Sequence, residues 1–185
     1  MTTGPVDPNR ILLTGENSFI RLAESEGGPH LTRVSHWRIL LSPQGPGHVL
    51  FFKSDVVGDE ILIYSDNIAL TRWLQGEIES FLFPEFADQD IPVINAEFSK
   101  VGDGKSFWTE KITSEEDSIS LAWYDFLEPF MLRVEAGSNP TRPHGVYSCF
   151  IPAANGPARS GRAGLRPLRS GPSRSPHSSP RQAPG

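Results

Sequence analysis

The chain has 185 residues, with 22 Asp and Glu against 17 Lys and Arg, which gives a formal net charge of −5. All of the acidic residues precede Pro152, so residues 1–151 carry a net charge of −11 and the arginines of 152–185 carry +6. Nucleic-acid affinity rests on clustered positive charge, so the acidic part is a poor candidate for a DNA or RNA surface. The tail could bind nucleic acid weakly, but it has no Phe, Tyr or Trp on which a base could stack.

The sequence also argues against a membrane span and a disulfide framework. No segment offers 18 consecutive apolar residues, and the first residues are neither basic nor apolar. The lone Cys149 cannot form an internal disulfide, and the histidines lack the clustered spacing of a metal site. We therefore expect a soluble, cytoplasmic protein that binds no membrane and needs neither a metal ion nor a cofactor. The oligomeric state stays open.

Composition divides the chain at Pro152, after which nearly every residue is Gly, Pro, Ala, Arg or Ser. Such a segment has too little apolar content to offset the entropy of ordering it. We expect one folded domain over 1–151 and a disordered tail over 152–185. The tail has the composition of a GC-rich message read out of frame, which favours a frameshift or truncation. A native disordered linker with short Arg/Ser segments is the alternative.

Alternation of apolar and polar residues between Gly- and Pro-rich turns predicts a chain dominated by β-strands. The predicted strands are Phe19–Glu24, His36–Leu41, Val49–Ser54, Glu60–Tyr64, Ile94–Val101, Ser106–Thr113, Ser118–Tyr124, Phe130–Glu135 and Gly145–Ile151. Several of the turns are short enough for hairpins, which indicates antiparallel neighbours.

One segment differs, because its apolar residues recur at helical spacing. The spacing predicts a helix over 67–82, capped by Ser65 or Asp66 and stopped by Pro84. We therefore expect a mainly β fold of the α+β class, with about nine strands and one inserted helix. The strands would form an antiparallel β-barrel or a two-sheet sandwich, either of which could enclose a small ligand.

The candidate site residues follow from the period of two along a strand. In the segment 36–41, His36 and Arg38 share one face, where they could bind a carboxylate or transfer a proton beside an anion clamp. The alternative is that both side chains lie on the solvated face of the sheet. The pattern leaves the choice of inner face open.

Two further segments place an aromatic residue beside an acid. Trp108 shares a face with Glu110, and Trp123 shares one with Asp125 if the extended run continues that far. Apolar surroundings raise a carboxyl pKa toward neutrality, so either acid could act as a proton-transfer group. The alternative is that each Trp is a core residue and each acid lies at the rim. Tyr147 completes the set of predicted pocket residues.

These residues favour a domain that binds a small, partly aromatic or acidic organic molecule. In that interpretation Arg38, Trp108, Trp123 and Tyr147 contact the ligand. The second hypothesis is a cofactor-free isomerase, lyase or hydrolase, with Glu110, Asp125 or His36 as the general base. The third is a protein-interaction module that uses the helix or an open sheet edge.

Overall fold

The computed structural model describes residues 13–25, 27–55, 58, 60–80, 83–138, 145–155 and 158–162. In chain order the strands are β1 (Thr14–Ala23), β2 (His30–Leu41), β3 (Gly47–Ser54), β4 (Ile61–Ser65), β5 (Val93–Asn95), β6 (Glu97–Gly102), β7 (Phe107–Thr113), β8 (Asp117–Phe126), β9 (Phe130–Val134), β10 (Val146–Phe150), β11 (Ala153–Asn155) and β12 (Ala158–Arg162). Between β4 and β5 lie helix α1 (Ile68–Leu74), a π-helical turn (Gln75–Glu79) and a short 3-10 turn (Pro84–Phe86). The mainly β character predicted from the alternation is confirmed.

The strands form separate sheets. The first sheet has the order β1-β2-β3-β4-β5, and the second contains β6, β7 and β8, with both β11 and β12 paired to β8. Strands β9 and β10 form a two-stranded ribbon of their own. Because the described sheets do not close on themselves, the structure is a sandwich rather than the barrel that the sequence left as an alternative.

The core lies on both faces of the first sheet, so the layers are helix, sheet and sheet. Adjacent residues of β3 point in opposite directions, and both Phe51 and Phe52 are buried. Phe52 packs between the two sheets with Leu121 of β8, whereas Phe51 packs against Leu70 and Leu74 of α1. This explains why β3 is a continuous apolar run instead of an alternating one.

The connection from β4 to β5 corrects the expected antiparallel arrangement. The sequence predicted one strand over Ile94–Val101, but β5 pairs parallel with β4, and β6 pairs antiparallel with β7 in the other sheet. The chain changes sheets at the buried Ala96, whose amide donates to the Ser65 carbonyl at 3.2 Å. A parallel neighbour needs a crossover, and α1 supplies it.

Helix α1 begins where the sequence predicts, but its cap and its end differ. Asn67, rather than Ser65 or Asp66, is the N-cap, since its side chain accepts from the Leu70 amide at 3.0 Å. After Leu74 the helix widens into the π-helical turn, which contains Gly76, a residue that destabilises regular α-helix. Residues 81 and 82 of the predicted helix lie outside the described part of the chain.

Asn67 also anchors the β2–β3 turn, because its Nδ2 donates to the carbonyls of Gln44 and Pro46 at 3.0 and 3.1 Å. We expect Asn67→Ala to destabilise the protein by about 1–2 kcal/mol through loss of the cap. Asn67→Asp keeps the oxygen that accepts from Leu70 but loses the donor, so it should lose less stability. Chemical denaturation of both variants measures the two contributions. Equal losses in both would mean that the turn contacts, not the cap, carry the effect.

β-Pairing continues beyond the predicted domain boundary at Ile151. Strand β11 pairs with the end of β8, and β12 pairs with its beginning, from Ala158 opposite Leu121 to Arg162 opposite Asp117. Backbone pairing with β8 thus includes residues 153–155 and 158–162 of the predicted tail, and the boundary at Ile151 stays a prediction. Pairing requires only backbone donors and acceptors, which a segment poor in apolar side chains still has. Residues 163–185 of the predicted tail lie outside the described residues.

The ribbon of β9 and β10 is more exposed than the rest of the fold. Phe130 and Phe150 stack on one face at 5.4 Å between ring centroids, and Tyr147 on the other face is 78% exposed. The alternation of these strands predicted their existence but not their separation from the two main sheets. Over the described ranges, no helix is long and apolar enough to cross a bilayer.

Candidate functional site

The space between the two sheets holds an apolar core and, at one end of that core, a group of polar and charged side chains. Register places Ser18, His36 and Leu50 side by side on one face of the first sheet, so the face that carries His36 points toward the second sheet. In the second sheet, Glu110 of β7 lies on the same face as the buried Leu121. We call the polar group the polar end; it comprises Glu16, Ser18, His36, Arg38, His48, Phe98, Lys100, Trp108 and Glu110.

A histidine–carboxylate pair joins the two sheets at the centre of the polar end. The side chains of His36 and Glu110 are 5% and 3% exposed, and Nδ1 of His36 bonds Oε2 of Glu110. Oε1 of Glu110 accepts from Trp108 Nε1 at 2.7 Å and from Ser18 Oγ at 3.1 Å. All three groups donate hydrogen bonds to the Glu110 carboxylate, and these bonds offset the cost of burying its negative charge.

These donors decide the ionisation of Glu110. Burial raises the pKa of this carboxyl, but the hydrogen bond and charge of His36, together with the bonds from Trp108 and Ser18, lower it below its usual value. Glu110 is therefore ionised at neutral pH, and Nδ1 of His36 donates to it. Because Ser18 Oγ bonds the acid and not the imidazole, these residues do not form a Ser–His–acid triad.

The second ring nitrogen of His36 has no comparable contact. Nε2 is buried and has no hydrogen-bond partner among the residues that the structure describes. With Nδ1 carrying a proton, Nε2 accepts a hydrogen bond when the imidazole is neutral and donates one when it is protonated. An imidazole held in one orientation by a carboxylate, with its other nitrogen unpaired, can bind a ligand's donor group or accept a proton.

Aromatic rings surround this imidazole. His36 stacks on Phe98 at 5.3 Å and on His48 at 5.9 Å, with interplanar angles of 8° and 19°. His48 is itself oriented by Asp66, whose Oδ2 lies 2.8 Å from its Nδ1. Two histidine–carboxylate pairs thus lie beside one phenylalanine ring, and the second pair, His48 with Asp66, is partly exposed.

Three charged side chains form the rim of the polar end. Oε2 of Glu16 accepts from Arg38 at 3.2 Å and from Lys100 at 2.9 Å, which links the first sheet to the second. The Lys100 ammonium also lies 3.5 Å from the centroid of the Trp108 ring. Burial raises the pKa of Glu16, but Lys100 and Arg38 lower it below its ordinary value, so Glu16 is a carboxylate.

The structure brings several of the predicted site residues together. His36, Arg38, Trp108 and Glu110 all belong to the polar end, although the sequence had left the inner face undecided. Trp123 lies opposite Trp108 on β8, is 9% exposed and donates to the Phe19 carbonyl at 3.0 Å. It is a core residue that borders the polar end.

Two predicted residues lie elsewhere. Asp125 is exposed, and its φ of 56° interrupts the extended conformation of β8 one residue before the strand ends at Phe126. Tyr147 lies on the exposed ribbon, opposite Arg133, and its side chain is largely exposed. The structure does not bring Asp125 and Tyr147 together with the polar end, and the roles predicted for them stay predictions.

Sequence reasoning missed several members of the polar end, namely Glu16, Ser18, His48, Phe98 and Lys100. The signal was available for His48, which shares a face of β3 with Leu50 and lies opposite Arg38. No sequence pattern pointed to Glu16 or Lys100. Strand β1 was predicted to begin at Phe19, and local sequence does not show which residues of the two sheets contact each other.

Two grooves among the described residues lie outside the polar end. One, of about 610 Å³, is lined by Glu60, Ile61, Leu62, Glu85, Asp88, Ile91, Pro92 and Ile94. The other, of about 300 Å³, is lined by His30, Leu31, Arg33, Lys53 and Glu85. Neither groove includes a residue predicted to contact a ligand. The polar end is occupied by its own side chains, so a ligand must displace some of them.

A second buried acid lies on the opposite face of the first sheet. Glu79, at the end of the π-helical turn, accepts from Trp37 Nε1 at 2.6 Å, while its Oε2 has no partner among the described residues. Burial raises the pKa of Glu79 to about 7, although Trp37 and the charge of Arg21 lower it and Glu85 raises it. This carboxyl packs between the helix and the sheet, away from the polar end.

No cluster of three or more His, Cys, Asp or Glu side chains suited to a metal ion occurs within the described ranges. No family model, curated protein or solved structure matches the chain.

Proposed function

We propose that the protein binds a small, partly aromatic or acidic organic molecule at the polar end. The observation that carries this proposal is the imidazole of His36, which is buried, fixed by Glu110 and unpaired at Nε2 within the described structure. An unsatisfied buried nitrogen costs free energy that a ligand's hydrogen bond would recover. Small-molecule sites commonly combine apolar walls with a few such polar groups.

The surrounding residues support the aromatic part of the proposed ligand. Phe98 and His48 offer ring faces on one side, and the indole of Trp108 lies near the rim. Flat rings stack favourably on such faces. Arg38 and Lys100 supply positive charge at the mouth, which supports an acidic group on the same ligand.

In this proposal the ligand enters by displacing side chains of the rim. The side chains of Glu16, Arg38 and Lys100 are 42%, 41% and 31% exposed. Long side chains at the surface exchange rotamers rapidly, whereas the buried His36–Glu110 pair is held by packing. A ligand that displaces the rim would therefore meet a preformed polar group beneath it.

The test is a screen of small aromatic and carboxylic compounds by thermal shift, followed by calorimetric titration of each hit with wild type and His36→Asn. Asparagine can still donate to Glu110 from near the Nδ1 position but has no group at Nε2. We expect the variant to bind about tenfold more weakly, the loss of one hydrogen bond of about 1.4 kcal/mol.

Lys111→Ala is the matched control, because Lys111 adjoins Glu110 on the exposed face of β7. It should bind each hit as wild type does. A screen without any shift in melting temperature, or equal affinities for wild type and His36→Asn, would contradict the proposal.

The second candidate function is a cofactor-free isomerase, lyase or hydrolase. The specific observation that favours it is the orientation of His36 by Glu110, since a general base is commonly positioned by a third group. His36 is then the base and Arg38 the anion-stabilising group. Glu110 is poorly suited to the role, because three donors already occupy it. A pH–rate profile that disappears in His36→Asn would distinguish turnover from binding.

A further inference from the structure

Glu16 makes contacts that a ligand's carboxylate would make. Its Oε2 accepts from a guanidinium on one sheet and an ammonium on the other, at 3.2 and 2.9 Å. Paired cations of this kind are the usual partners of a bound carboxylate. Glu16 comes from β1, the edge strand of the first sheet, so it reaches the two cations from the side.

The bridge is weak enough to be exchanged. All three side chains are about a third or more exposed, and ion pairs in such positions contribute only about 0.2–1 kcal/mol because water and salt screen them. The rim holds one carboxylate, that of Glu16, and two cations, Arg38 and Lys100, so its net charge is positive. A second anion arriving there would replace Glu16 at little cost.

The spacing between this rim and the buried imidazole limits the size of the ligand. Arg38 and His36 are two residues apart on β2 and face the same way. Residues at that separation on a strand are about 7 Å apart, close to the span of one substituted benzene ring. A single ring could therefore carry a carboxylate toward Arg38 and a hydroxyl toward Nε2 of His36.

From these contacts we propose that the ligand is an aromatic carboxylate with a hydrogen-bond donor at the far end of the ring, and that Glu16 is its resident competitor. This inference rests on the proposed function, since it concerns the same site. Arg38 and Lys100 then hold the ligand's carboxylate, and the Glu16 side chain swings into solvent when the ligand binds. Glu16 thereby competes with ligands that carry a negative charge, whereas a neutral ligand leaves its contacts with the two cations in place.

The experiment uses 4-hydroxybenzoate as the acidic probe and 4-hydroxybenzyl alcohol as its neutral counterpart. Each is titrated calorimetrically into wild type, Glu16→Gln and Arg38→Gln at low ionic strength. We expect Glu16→Gln to bind 4-hydroxybenzoate about fivefold more tightly, because the competing charge is gone and the length of the side chain is kept. Arg38→Gln should bind it about tenfold more weakly. Affinity for the alcohol should change in neither variant.

Glu135→Gln is the matched control, because it removes one carboxylate from the exposed Arg133–Glu135 ion pair on the ribbon. It should leave both affinities unchanged, and the melting temperature of every variant reports its folding. Unchanged or weaker binding of 4-hydroxybenzoate by Glu16→Gln would overturn the inference. His36→Asn is titrated alongside with 4-hydroxybenzyl alcohol. If the wild type binds the alcohol more tightly than His36→Asn does, the proposed function survives that result. If neither probe binds wild type, both proposals fail.

Discussion

Replacing Glu79 with glutamine is expected to abolish most of the loss of stability that the wild-type protein suffers between about pH 4.5 and pH 7. Burial raises the pKa of Glu79 to about 7 in the folded protein, from an ordinary value of 4.5. The folded carboxyl therefore keeps its proton in a range where the unfolded chain has lost it. The contribution of Glu79 to stability is greatest below pH 4.5, falls as the pH rises toward 7, and then levels off.

The size of this loss of stability follows from the difference between the folded pKa of about 7 and the ordinary pKa of 4.5, which corresponds to about 3 kcal/mol. The charged groups around Glu79 act in both directions, since Arg21 of β1 favours its ionised form and Glu85 of the 3-10 turn opposes it. Burial between helix and sheet dominates both. Glutamine has nearly the same shape and no charge at any pH, so the variant should be more stable than wild type at pH 8 and similar to it at pH 5.

Urea denaturation at pH 5, 6, 7 and 8 measures this difference. Glu77→Gln is the matched control, because it removes the same charge from the same turn without touching Trp37. Glu110 has a lowered pKa, so its stabilising contribution is lost only as the pH falls below about 4.5, and it does not interfere with the comparison. Parallel pH profiles for wild type and Glu79→Gln would show that Glu79 is not buried as described.

Phe51→Ala is expected to destabilise the protein by about 3–5 kcal/mol, a large part of the total stability of a domain of this size. Phe51 is fully buried on β3, and its ring centroid lies 5.4 Å from that of Phe86 in the 3-10 turn. Truncation leaves a cavity between the helix and the sheet that neighbouring side chains on two rigid elements cannot fill. Thermal and chemical unfolding both measure the loss.

Two further variants make this test specific to the layered architecture. Phe52→Ala removes the neighbouring ring from the opposite face, where it packs between the two sheets, and should cost as much. Phe130→Ala removes a ring that is 52% exposed on the ribbon and should cost about 1 kcal/mol or less. A loss below 1 kcal/mol for Phe51→Ala would mean that the helix does not cover β3.

Alternation predicted the strands well because it records which residues face a core. The run 49–52 is apolar throughout because β3 is buried on both faces, and the sequence can show this directly. The parallel partner of β4 could not be predicted, since β5 has only three residues and runs into β6 without a turn. The change of sheet at Ala96 leaves no local signal.

The candidate site was predictable as pairs but not as a whole. A period of two placed His36 beside Arg38 and Trp108 beside Glu110, and both pairs lie in the polar end. Their meeting depends on how one sheet lies across the other, which is a long-range property of the fold. Asp125 lies outside the polar end for a local reason, because its positive φ interrupts the alternation that would place it on the same face as Trp123.

The parallel pairing of β4 with β5 also bears on the order in which the protein folds. Strands β1 to β4 are joined by short turns, so each can pair with its neighbour with little loss of chain entropy. Strand β5 can dock only after the segment 66–92 has crossed the sheet, and the polar end requires β6 and β7 to arrive after it. Contacts so distant in sequence form slowly. We therefore infer that the first meander assembles early, and that His36 is exposed to solvent until the second sheet closes over it.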